Sequence, residues 1–260
     1  ILANKGIYLF ERVHHRRVMF TAKLAADLGI TVFCQPFAKV HCNLAGNGEG
    51  LRAQVQALAK TYGPGGPVEF WNTEGGNGKL GGNTFYTTFG DQTRLNTRAT
   101  AYAARVLIEH RAARVRHFHY MLFMMDTIIY HGNSYKMMIG FDRSPTPAAV
   151  SNAVTAWCID GLDGQPLPTA SPDGVVQELF AGRGRLAWTI YRMHDERGAA
   201  AVVDLAALPA GAQVLDLAGS DPRTRGQTQW PVGIAPLFVT ADDLDIAPFA
   251  SACQAAVAIR

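Results

Sequence analysis

The residue with the clearest chemical prospect in this chain is Glu74. It closes the run "PVEFWNTE" (residues 67–74) and is followed by Gly75 and Gly76. Two glycines let the backbone turn away and leave space in front of the carboxylate. A carboxylate at the end of an apolar, strand-like run is placed to meet a ligand, as a nucleophile or an acid/base group. It can equally cap a loop or pair with an arginine, and position alone does not choose between these. Period-two counting puts Val68, Phe70, Asn72 and Glu74 on one face of the run. Other polar candidates stand in two neighbouring runs: His41 and Asn43 in "FAKVHCN" (37–43), and His119 and Tyr120 in "VRHFHYMLF" (115–123). Strand alternation lets only one of His119 and Tyr120 face the same way.

These residues need a frame. Residues 8–28 read as a helix ending at Gly29. The next run, "ITVFCQPFAKVHCN", is divided by Pro36, and the strand is expected over its second half, 37–43. A helix over 50–62 puts Leu51, Val55, Leu58 and Tyr62 on one face and stops at Gly63. The strand carrying Glu74 follows, then a long polar loop over 75–95. Loops of that length in compact domains are often functional. A helix over 96–113, a strand over 115–125 and a helix within 144–161 complete the series. Thr146 suits the cap of that last helix, Pro147 its first turn and Gly161 its end. The alternation of helix and strand predicts parallel βα units with both strand faces covered.

Composition changes after Gly161. Residues 163–173 have linker character, and 174–260 hold short strand-like runs separated by turns such as "AGRGR" and "LPAG". That spacing predicts an antiparallel β-sandwich. The 260 residues are 48% hydrophobic with a net charge of +3, which indicates a globular chain. No basic stripe interleaved with aromatics supports nucleic-acid binding, and no run of about 18 apolar residues supports a membrane span. Cys34, Cys42, Cys158 and Cys253 form no CxxC pair, so buried free thiols are expected. No glycine-rich phosphate loop is present, and His117, His119 and Asp126 gather no further metal ligand. No cofactor or metal is implied.

"PVEFWNTEGG" resembles the seventh-strand motif of retaining glycoside hydrolases of the large (β/α)8 clan A, where a strand ends in the nucleophilic Glu. "FAKVHCN" resembles the sixth strand, which commonly ends in His and a polar or aromatic residue. "VRHFHYMLF" resembles the aromatic eighth strand, and "SPTPAAVSNAVTAWCIDG" the last barrel helix. "VVQELFAGRGRLAWTIY", "AQVLDLAGS" with its Asp-x-x-Gly, and "IAPLFVTADD" are similar to the appended β-domain of β-xylosidase and family 39-type enzymes. The resemblance implies the C-terminal part of a (β/α)8 TIM barrel (strands six to eight, residues 1–162), a linker and a β-sandwich domain. It implies Glu74 as nucleophile of a double displacement, with His41, Asn43, Asn72, His119 and Tyr120 as substrate-binding candidates. The partner is then a glycoside, oligosaccharide or polysaccharide.

One part of the pattern is missing. The family's acid/base is a Glu, usually after Asn, at the end of the fourth strand, and this sequence contains no Asn-Glu pair. A whole barrel takes about 250 residues. The expectation is therefore a C-terminal portion of a longer enzyme. The competing readings are a non-catalytic carbohydrate-binding or structural protein on the same scaffold, and an unrelated α/β enzyme with a chance Thr-Glu-Gly-Gly. A secreted or periplasmic setting suits a polysaccharide-active enzyme, although residues 1–15 do not themselves read as a signal peptide.

Overall fold

The computed structural model describes residues 6–10, 31–35, 70–75, 92–120, 144–192 and 201–259. Four short strands come first: β1 (Gly6–Phe10), β2 (Thr31–Gln35), β3 (Phe70–Gly75) and β4 (Val115–Tyr120). β1 runs parallel to β2 and β3 parallel to β4, while β2 lies beside β3. Parallel neighbours require a long crossover, and the one between β3 and β4 contains helix α1 (Gln92–Ala112). With the antiparallel layers described below, the chain has an α/β fold.

One expectation is corrected here. The start of the helix expected over 8–28 is strand: "GIYLF" pairs in register with "TVFCQ". A short apolar run fits a buried parallel strand as well as a buried helix turn, and only the partner decides. In the run divided by Pro36, the described strand is Thr31–Gln35, before the proline. Residues 37–43, where a strand is expected, lie outside the described residues. The expected helix over 50–62 lies outside the described residues.

α1 ends where Arg114 takes a left-handed conformation (φ 62°) at a position usually given to glycine. Helix α2 (Pro147–Ile159) starts as expected. The Thr146 hydroxyl accepts from Ala149 N at 3.3 Å, and Pro147 occupies the first turn. Small residues let the two helices approach. Ala103 packs on Ala148, and the Ser151 hydroxyl donates to the Thr100 carbonyl at 2.7 Å.

The remaining chain forms two antiparallel sheets. The larger contains β5 (Asp163–Gln165), β6 (Val175–Gly182), β7 (Arg185–Arg192), β9 (Gln213–Leu215) and β11 (Leu237–Asp242), in the order β5-β6-β7-β11-β9. The smaller contains β8 (Ala201–Asp204), β10 (Gln229–Pro231) and β12 (Val257–Ile259), in the order β10-β8-β12. Helix α3 (Ile246–Ala255) connects β11 to β12. Residues 163–165, expected as linker, instead pair with Leu179–Ala181 of β6.

Alternation along the larger sheet serves two cores. Leu186, Trp188 and Ile190 point into one with Val203 and Phe249, from the smaller sheet and α3. Ala187 and Tyr191 point into the other with Ile108 of α1 and Ile159 of α2. Each fully buried Leu, Ile or Phe in these cores contributes about 1.5–3 kcal/mol. The β6–β7 hairpin closes through Arg183 and Gly184, both at positive φ (52° and 77°), between the paired Gly182 and Arg185. This is the two-residue loop whose twist matches that of the strands.

Candidate active site

Glu74 is the penultimate residue of β3. Parallel pairing brings the C-terminal ends of β3 and β4 to one edge, where Gly75 is the partner of Tyr120 and Asn72 the partner of Phe118. Thus Glu74, His119 and Tyr120 come from separate segments to the same sheet edge, with Asn72 one step behind. His41 and Asn43 lie outside the described residues. β1 to β4 carry no other Asp or Glu, so Glu74 is their single carboxylate.

The pairing is irregular at the site. From Asn72 to Gly75, β3 advances three residues while β4 advances two, from Phe118 to Tyr120. The extra residue falls at Thr73–Glu74. A second shift separates Phe70 and Trp71. Bulges of this kind re-aim a side chain and concentrate beside active sites. The irregularity falls within the run whose period-two count put Phe70, Asn72 and Glu74 on one face. No residue type announced it; the glycines after Glu74 mark only the end of the strand.

A second polar grouping lies between α1 and the larger sheet. Tyr191, wholly buried, donates its hydroxyl to Glu109 Oε1 at 3.2 Å, and the Arg105 guanidinium sits 4.9 Å from its ring centre. Glu178 is also buried. Burial first, and then the Glu109 carboxylate, hold the Tyr191 phenol well above its ordinary value, against the opposing charge of Arg105. The phenol is therefore a permanent donor. Enclosed at a helix–sheet junction, this grouping fixes structure and is not placed to meet a substrate.

The Asp-x-x-Gly segment also has a structural role. Asp216 accepts from the backbone N–H groups of Ala218 and Ser220 at 2.9 and 3.0 Å and pairs with Arg225 at 2.7 Å. Gly219 supplies the left-handed turn (φ 76°). Cys158 and Cys253 are buried free thiols, as expected, and burial pushes both up to about 12. Among the described residues, no group of three His, Cys, Asp or Glu is arranged to hold a metal, and no helix is long and apolar enough to cross a membrane.

No family model matches the sequence, and no curated protein does. Among solved structures, the chain is similar to a family 39 glycoside hydrolase from Bacteroides cellulosilyticus, with 15% identity and a TM-score of 0.54 over 86% of this chain. The chain spans about half, 47%, of that enzyme's length. An exported protein from Bacteroides fragilis aligns at 10% identity and a TM-score of 0.45, over 81% of this chain and 46% of that one. A GH30 endoxylanase from Clostridium papyrosolvens aligns at 10% identity and a TM-score of 0.28, over 88% and 70%. The last two superpose too loosely to bear on the fold. The first is a likeness of fold alone: the chain has a distant glycosidase-like scaffold.

Proposed function

We propose that this chain is the C-terminal portion of a retaining glycoside hydrolase, comprising part of a (β/α)8 barrel and an appended β-sandwich, with Glu74 as its nucleophile. The observation that carries the reading is the placement of Glu74. It is the single carboxylate on β1 to β4, which form two parallel pairs, and sits at a bulged C-terminal end beside the end of β4. Reactive groups of α/β barrels come from the C-terminal ends of strands. The fold likeness to a family 39 enzyme supports the same reading.

In this mechanism the ionised Glu74 attacks the anomeric carbon while a second carboxylic acid protonates the leaving oxygen. Water, activated by that second group as a base, then releases the sugar from Glu74. The two carboxyl groups stand about 5–5.5 Å apart in such enzymes. The proposal places the second group outside these 260 residues, since the sequence has no Asn-Glu pair. Asn72, and whichever of the adjacent His119 and Tyr120 faces the sugar, are proposed to hydrogen-bond it at the edge they share with Glu74. His41 and Asn43 are proposed as further contacts.

The test uses the whole natural protein and a panel of 2-fluoro glycosides bearing a dinitrophenolate leaving group. Such sugars form the glycosyl-enzyme with little acid assistance and release it slowly. The expected result is one added sugar mass on the peptide containing Glu74. Glu74→Gln should abolish the label and lower turnover by about 10⁴-fold or more, with an unchanged unfolding midpoint. A folded protein that no sugar of the panel labels would instead be a non-catalytic protein on this scaffold.

A further inference from the structure

Among the described residues, the α2-facing side of the larger sheet is not covered to its end. Beside the last turn of α2 lies a cavity of about 210 Å³, lined by Trp157, Arg185, Gly211, Gln213, Thr240 and Asp242 among others. Its polar walls come from two cross-strand pairs: Gln213 opposes Thr240, and Arg185 opposes Asp242. Thr240 and Asp242 are two residues apart on β11 and so share a face, about 7 Å apart. Trp157 forms the apolar wall and is 53% exposed, uncommon for so large a ring.

The indole is held in place. The Arg185 guanidinium stacks 5.1 Å from its centre and donates to the Trp157 carbonyl at 3.4 Å. The same guanidinium pairs with the Asp242 carboxylate at 3.5 Å. Among the described lining residues, the one cation and the one anion thus balance each other. A phosphate or carboxylate ligand would meet Asp242, and a cation would meet Arg185. A purely apolar ligand would bury Gln213 and Thr240 without offering them hydrogen bonds. A neutral ring with one C–H face and a rim of hydroxyls satisfies every wall: the indole takes the face, and the amide, hydroxyl and carboxylate take the rim. At Gly211 no atom lies within 4 Å of where a Cβ would stand, so the rim is open.

The geometry points to a saccharide-binding site at Trp157, separate from the Glu74 edge, for a neutral pyranose unit of a polymer. The volume is below the 300–1,000 Å³ usual for drug-sized ligands, so the site takes one unit and leaves the rest of the chain in solvent. It holds polymer without cleaving it, and it does not depend on Glu74 being a nucleophile.

The test is native electrophoresis of the whole natural protein through gels cast with soluble xylan, with mixed-linkage β-glucan, or with neither. All variants carry Glu74→Gln so that the polymer stays intact. Retardation is expected in at least one polymer gel. Trp157→Ala should weaken it about fivefold or more, and Gln213→Ala in the same direction. Ile259→Ala, which removes a different exposed apolar side chain (47% exposed), should leave it unchanged. If Trp157→Ala unfolds, Gln213→Ala carries the test. No retardation in either polymer, or retardation that the site variants keep in full, overturns the proposal. No sugar label on the natural protein, which keeps Glu74, together with retardation that depends on Trp157, would sink the hydrolase reading and leave this one standing.

Discussion

On one face of the larger sheet Leu186, Trp188 and Ile190 meet the smaller sheet and α3; on the other Ala187, Thr189 and Tyr191 meet α1 and α2. The first face is apolar apart from groups such as the Gln177 amide, which accepts from Trp188 Nε1 at 3.2 Å. The second also buries Glu178 and receives Arg105 and Glu109 from α1. Apolar surfaces gain from nearly any close contact. Buried polar groups gain only where donors and acceptors match. The first face supplies stability, and the second fixes where the helices sit against the sheet. Through α1, which leads directly into β4, that placement reaches the edge that carries Glu74.

Substitutions on the two faces should therefore differ in size and kind. Trp188→Ala should cost about 3–5 kcal/mol, the usual range for emptying a buried aromatic site. The check is a denaturant unfolding curve, and a loss under about 1 kcal/mol would mean that the two sheets do not share a tight core. Tyr191→Phe keeps the volume and removes one donor from Glu109, for an expected loss of about 1–3 kcal/mol. It should also leave a mark at alkaline pH. The folded state keeps the Tyr191 proton well above the ordinary value near 10, and the Cys158 and Cys253 protons up to about 12. The unfolded chain releases all three earlier, so stability falls as pH rises above roughly 9. Tyr191→Phe should flatten that fall above about pH 10, leaving the part due to the thiols. Equal alkaline slopes for the two proteins would remove Tyr191 from the account.

The smallest effect is expected on the surface. Asp221 caps a 3-10 turn, and its carboxyl is held below the ordinary value by hydrogen bonds from Arg223. Its contribution is present above about pH 4 and is lost as pH falls through the lowered folded value. Asp221→Asn should cost a few tenths to about 1 kcal/mol at pH 7. The difference from wild type should shrink in acid, as unfolding midpoints measured at both pH values would reveal.

The antiparallel layer was the legible part of this sequence. "VVQELFAG" alternates between two cores, and the expected strand coincides with Val175–Gly182. Strands without such a pattern were harder to place. "GIYLF" is apolar throughout and carries no period, so its last three residues read as the start of a helix. "DGQ" lies among prolines and glycines and is a strand only because β6 supplies a partner. α3 has no side-chain cap bond at Asp245 and is rich in alanine, so neither end announced itself. At the candidate site, Glu74 stood out through its glycines and its strand. The bulge beside it is a property of pairing with β4, which no single strand encodes.

Those short pairings also bear on how the molecule behaves at high concentration. Among the described residues, both antiparallel sheets are bordered by strands of three residues: β5 and β9 on the larger, β10 and β12 on the smaller. On the larger sheet the interior strands β6 and β7 run to eight residues. A borderline of three residues offers about 10 Å of backbone to an arriving extended chain, and β10 spends one of its places on Pro231, which has no N–H to give. Growth of either sheet by recruiting a neighbouring molecule is thereby starved of a template. Resistance to fibrous aggregation in these layers is written into the lengths of their outermost strands.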